Sequence, residues 1–122
     1  SSAQAGPASN LLLTAMDGPR FAKVDKDERT VFYRSLGKLG APAGLDFLAG
    51  LLAKPPKKLF KRRKGLEAQL LAVQGLVEDG SLRSLRALED ALLPSRKHAP
   101  AVVAACRAAG QDLRSGARGK TP

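Results

Sequence analysis

The chain has 122 residues, a length suited to one domain, and carries a formal net charge of +10. Apolar residues make up 43%, yet only four Phe and one Tyr are aromatic, so Leu and Ala must supply the core, which favours helices. One Cys and one His exclude a disulfide framework and a Cys/His zinc site held within this chain, and no run approaches the ~18 apolar residues of a membrane span.

Residues 1–9 lack any large apolar side chain and read as a disordered lead, without the basic start and long apolar stretch of a secretory signal. Asn10 caps a short apolar turn over residues 11–16, closed by Asp17, Gly18 and Pro19. Asp25 or Asp27 then opens a helix to about Leu39. Asp27 and Glu28 suit the positive end of its dipole, Val31, Phe32, Leu36 and Leu39 recur at helical spacing, and Tyr33 flanks them. Gly40 closes this helix, and Pro42 opens a second that carries Leu45, Leu48, Leu51 and Leu52 to about Ala53. Pro55 and Pro56 end it.

A third helix is expected over residues 66–79, striped by Leu66, Leu70, Val73 and Val77, with Leu76 beside the stripe. Gly80 closes it, and Ser81 caps a fourth helix ending near Leu93, striped by Leu82, Leu85, Leu88 and Leu92. On its outer side Arg86 and Asp90, four apart, form a helical ion pair. A fifth helix over residues 98–109 is rich in Ala and Val and is interrupted by Gly110. No alternating strand pattern occurs, so the expected fold class is all-α.

The charge is uneven. Residues 1–53 balance at +1 and residues 65–113 at −1, whereas the connector 54–64 (KPPKKLFKRRK) carries +7 and the tail 114–122 adds +3. A near-neutral body of residues 10–113 therefore bears a basic connector and a basic, flexible tail. Such a loop attracts phosphates, anionic lipid or an acidic protein face, or it simply keeps a Leu/Ala-rich chain in solution.

Shifting residues 31–52 by 40 places them on residues 71–92. Val31 meets Leu71, Tyr33 meets Val73, Leu36 meets Leu76, Gly40 meets Gly80, Leu45 meets Leu85, Leu48 meets Leu88 and Leu52 meets Leu92. A shorter shift sets Val103 and Ala108 on the Leu71 and Leu76 positions and begins a third unit. Repeats of about 40–47 residues built from helix pairs mark stacked arrays, because a lone pair cannot cover its own apolar stripe. A plain helical bundle is the alternative. The segments 29–52 and 66–92 resemble bacterial HEAT-type repeats of the phycobilisome-lyase-like kind, with an apolar helix, a Gly turn and a Leu-rich second helix. That resemblance implies a short α-solenoid of about two and a half antiparallel, HEAT-like pairs, the C-terminal end of an array, and a scaffold rather than an enzyme. Ser81 departs from it, standing where the turn proline belongs.

Chemistry finds little footing. Cys106, among Ala and Val, reads as a core side chain, and His98, beside Arg96 and Lys97, as a surface residue at a helix start. The acid pairs Asp27–Glu28, Glu78–Asp79 and Glu89–Asp90 lie on polar faces or near helix ends, and adjacent helical positions diverge by ~100°. The tail sequence G-A-R-G-K-T lacks the first glycine of a phosphate-binding loop, with Arg114 in its place. No catalytic residue, cofactor or metal is expected. The leading function is a non-catalytic protein-protein interaction scaffold, its second helices offering Arg83, Arg86, Glu89 and Asp90, and its apolar ends covered by a partner or by further repeats. The alternative is a nucleic-acid-binding module using Lys57, Lys58, Lys61, Arg62, Arg63 and Lys64. Attachment to an anionic membrane surface through the same segment, with Phe60 inserting, is a third reading. One cysteine and no signal place the chain in the cytoplasm by expectation.

Overall fold

Two matched turns set the architecture. The Asp25 carboxylate accepts from the Glu28 N–H at 2.8 Å, and the Ser81 hydroxyl accepts from the Ser84 N–H at 3.3 Å, each satisfying an orphan donor at a helix start. Gly40 and Gly80 both adopt φ +66°, a left-handed conformation that other residues enter only with strain. Their N–H groups return to the carbonyls of Leu36 and Leu76 and close the preceding helices.

The computed structural model describes residues 4–53 and 62–119, apart from the side chains at 62, 63 and 117–119. Its helices are α1 (Ala5–Asp17), α2 (Lys26–Leu39), α3 (Pro42–Ala53), α4 (Arg62–Asp79), α5 (Leu82–Asp90) and α6 (Pro100–Gly119). Short 3-10 turns, Pro19–Lys23 and Pro94–Arg96, lead into α2 and α6. Among the described residues there is no strand, and the fold is all-α.

Each helix packs against its neighbours in sequence and against the helix two steps away: α1 on α3, α2 on α4, α3 on α5 and α4 on α6. The helices α2 and α4 run in the same direction. Arg29 and Glu67 pair near their starts, and Arg34 and Glu78 pair further along. Between Glu67 and Glu78 of α4 the backbones touch: a Cβ on Gly37 would lie 1.8 Å from the Gly75 carbonyl oxygen, and one on Gly75 would lie 2.6 Å from that of Tyr33. Only glycine permits this approach. Helix α6 follows α4 in the same sense, with His98 beside Gln69 at one end and Leu113 facing Gly80 at the other.

Helix α4, which touches α2, α3, α5 and α6, is buried nearly all round. Leu36, Leu48, Leu52, Leu71, Leu76, Leu88, Val102 and Cys106 form the heart of the core. Burying each Leu contributes on the order of 2 kcal/mol by transfer alone, so this cluster is the main source of cohesion. Small side chains bring α1 onto α3: Ser9 is fully buried, and its hydroxyl lies 3.5 Å from where a Gly44 Cβ would stand.

Several boundaries differ from expectation. Helix α1 begins at Ala5, so residues 5–9 are helical rather than a disordered lead, and Asn10 is an exposed mid-helix residue. Helix α4 begins at Arg62, and the last three connector cations belong to its first turn. Helix α5 ends at Asp90 rather than near Leu93. Helix α6 starts at Pro100 and runs unbroken through Gly110 to Gly119, so residues 114–119 are helical rather than a flexible tail. Residues 1–3, 54–61 and 120–122, which carry the rest of the lead, connector and tail, lie outside the described residues. Two stripe positions are also exposed, Val31 at 59% and Leu82 at 60%, whereas Tyr33 is buried.

Candidate functional site

The four polar residues expected on the second helices serve mostly as ties between helices. Arg83 of α5 pairs with Asp46 of α3, Glu89 of α5 pairs with Arg114 of α6, and Asp90 pairs with Arg96 at 2.8 Å. The expected Arg86–Asp90 pair is therefore replaced by Asp90–Arg96, because the 3-10 turn after α5 folds Arg96 back toward it. Arg86 is exposed. These partly exposed pairs, Arg86 apart, act as markers of register more than as sources of stability.

The α2/α4 seam carries the better-formed pairs. Arg29 grips Glu67 through two bonds of 2.9 and 3.0 Å and also donates to the Val24 carbonyl. Arg34 donates to Glu78, first through Nε at 2.7 Å, and this hydrogen bond holds the Glu78 carboxyl below its ordinary pKa. Beside them, burial pushes the Tyr33 phenol upward. Its ring lies 6.4 Å from Phe21 and 6.2 Å from Phe47, and Phe21 lies 5.2 Å from Phe32, so the aromatics among the described residues gather in one cluster.

His98 has a structural task that its neighbours in sequence do not announce. The last carbonyls of α3 lack intrahelical partners. His98 Nε2 lies 2.6 Å from the Leu52 carbonyl oxygen, and Gln69 Nε2 donates to that of Leu51 at 3.1 Å. With Nε2 carrying the proton, His98 Nδ1 accepts from Gln69 Nε2 at 3.4 Å. The imidazole thus caps α3 from 46 residues away and is half-buried, not a surface side chain. A second network stands at the Gly80 turn. Asp79 accepts from the Ser81 N–H at 3.2 Å, from the Ser84 hydroxyl at 2.6 Å and from the Ser81 hydroxyl. Cys106 is fully buried, as expected of a core thiol, and burial pushes its pKa up to about 11.

Of the connector cations, Lys57, Lys58 and Lys61 lie outside the described residues. Arg62, Arg63 and Lys64 occupy the first turn of α4, and Lys64 is exposed. Among the described residues no group of three or more His, Cys, Asp and Glu side chains gathers to hold a metal, and no helix is long and apolar enough to cross a membrane.

The site that sequence reasoning missed lies at the α1 end. An open groove of about 480 Å³ runs between α1 and α2, lined by Ala8, Leu11, Leu12, Ser35, Lys38 and Leu39. Leu11 is 74% exposed at its edge. The signal was present in Leu11 and Val31, two exposed apolar side chains with no described helix packed on that side. A shallower depression lies along α6, lined by Ala108, Ala109, Gln111, Asp112 and Ser115. Comparison with protein-family models, with curated proteins and with solved structures finds no match to this chain.

Proposed function

We propose that the chain is a non-catalytic protein-protein interaction module, a short α-solenoid of HEAT-like helix pairs. The observation that carries this reading is the order of packing. Every helix meets its sequence neighbours and the helix two steps away, with α2, α4 and α6 following one another in the same direction. Stacked pairs produce that pattern because each pair uses its neighbour to complete its core. The side chains most suited to chemistry also have structural employment. His98 caps α3, Cys106 lies in the core, and Asp79 holds the Gly80 turn. The apolar groove at the α1 end supplies a surface that gains from being covered, as a protein partner would do.

One observation favours polyanion binding as a second reading. Arg62, Arg63 and Lys64 stand in the first turn of α4, where the helix dipole opposes cations, so their placement there works against local stability. Fluorescence anisotropy with labelled duplex DNA and single-stranded RNA, at ~50 and ~200 mM salt, separates the two readings. A protein-interaction module binds neither at the lower salt. Tight binding that is lost when Lys57, Lys58, Lys61, Arg62, Arg63 and Lys64 are replaced by Gln overturns the first reading and makes the connector the site.

A further inference from the structure

Among the described residues, the α1/α2 groove at one end and the outer side of α6 at the other both lie open. On the stacked-pair reading, helices α2 and α4 are the first members of two successive pairs, and part of the burial pattern of α4 returns in α6. Ala72, Gly75 and Leu76 correspond to Cys106, Ala109 and Gly110, all of them buried. This register lies two residues beyond the shift expected from sequence, which had set Ala108 on Leu76. Helix α6 thus stands as a first helix, with no second helix after it among the described residues. Helix α1, which packs on α3 as α3 packs on α5, stands as a second helix, with no first helix before it among the described residues.

Position by position, the exposed side of α2 lacks what α4 has. Leu71 is 2% exposed because α2 covers it, whereas Val31, its counterpart, is 59% exposed. Gly75 receives the backbone of α2, and its counterpart Ser35 lines the open groove. A first-type helix laid in that groove would cover Val31, Ser35, Leu11 and Leu12 together. The outer side of α6, with Val103, Arg107, Ala108, Gln111 and Asp112, corresponds to the side of α2 that meets α4.

Charge agrees with this match. Across the α2/α4 seam the Lys38 ammonium acts on the Glu78 carboxylate. Asp112 stands on α6 where Lys38 stands on α2, and the groove presents Lys38 where α4 presents Glu78. The continued seam therefore sets an aspartate against a lysine.

We infer that the chain associates head to tail with a second copy of itself, α6 of one copy lying in the α1/α2 groove of the next. Helix α1 of the second copy then completes the pair that α6 begins. Such a contact joins two different surfaces, so it leaves one free end on each side and allows further growth. The inference rests on the stacked-pair reading.

Sedimentation velocity on the whole chain tests it. The average mass of the wild type rises with concentration. Leu11→Glu blocks the groove and Ala108→Glu blocks the α6 side. Both positions are exposed, and circular dichroism confirms that the helices persist. Each variant alone is monomeric, and their equimolar mixture forms a dimer that grows no further, because only one productive contact remains. Lys38→Glu likewise weakens association, and mixing it with Asp112→Lys restores association, because both contacts between the two variants then set an acid against a base. A wild type that stays monomeric up to about 1 mM, the weak limit of specific contacts, overturns the inference. So does a wild-type dimer that the blocked pair fails to rebuild. A monomer whose Gly37–Gly75 contact persists leaves the stacked-pair reading standing, whereas loss of that contact removes both.

Discussion

Val31 and Leu71 align at a shift of 40 residues and have opposite fates. Leu71, in α4, lies between α2 and the rest of the core, and is 2% exposed. Val31, in α2, points to the side where no described helix follows, and is 59% exposed. The turns Gly40 and Gly80 share one backbone conformation, and Leu48 and Leu88 are both fully buried. The two stretches thus share a turn and an inner buried position, and burial at the outer position differs with whether a described helix stands alongside.

The strongest way to break this comparison is to separate the two units. Gly37→Ala drives a methyl into the Gly75 carbonyl and is expected to cost about 3 kcal/mol or more, read by urea denaturation, because backbone rather than a flexible side chain is in the way. Next comes the direct contrast of equivalent positions. Leu71→Ala should cost about 3 kcal/mol, while Val31→Ala should stay within ~0.5 kcal/mol. Equal costs would mean that α2 and α4 occupy equivalent surroundings.

How far the sequence alone disclosed this architecture depends on the kind of contact. Turns and caps were legible, because Asp25, Gly40, Ser81 and Gly80 act on residues within one helical turn of themselves. The start of α1 was not, since Ala5 and Ser9 are buried although neither belongs to a large apolar stripe. Helix α6 passes Gly110 because that glycine faces the Leu85 side chain across the α5/α6 contact, a reason that spacing does not express. The same limit governs the sites. Spacing suggested Arg86 for Asp90, but tertiary folding supplies Arg96, and His98 meets Leu52 across 46 residues. The core role of Cys106 was readable because its neighbours on the helix are themselves apolar.

Two smaller effects sharpen the comparison further. His98→Ala removes the cap on the Leu52 carbonyl and should cost about 1–2 kcal/mol in the same denaturation measurement, with Gln69 left to hold Leu51. The smallest effect concerns pH. The Glu78 carboxyl titrates below its ordinary value of 4.5 because Arg34 donates to it. Its contribution is present above pH 4.5 and is lost as pH falls through the depressed folded value. In thermal melts between pH 6 and pH 2, Arg34→Ala should therefore soften the acid-side fall in stability and change little above it.

The meeting of α2 and α4 through their glycines is the contact on which the stacked arrangement turns. Nuclear Overhauser spectroscopy of the whole chain, with selectively labelled glycine, measures it directly. Parallel stacking predicts cross-peaks between the Hα protons of Gly37 and those of Gly75, since their backbones leave no room for a methyl group. Intact helices without those cross-peaks would contradict it.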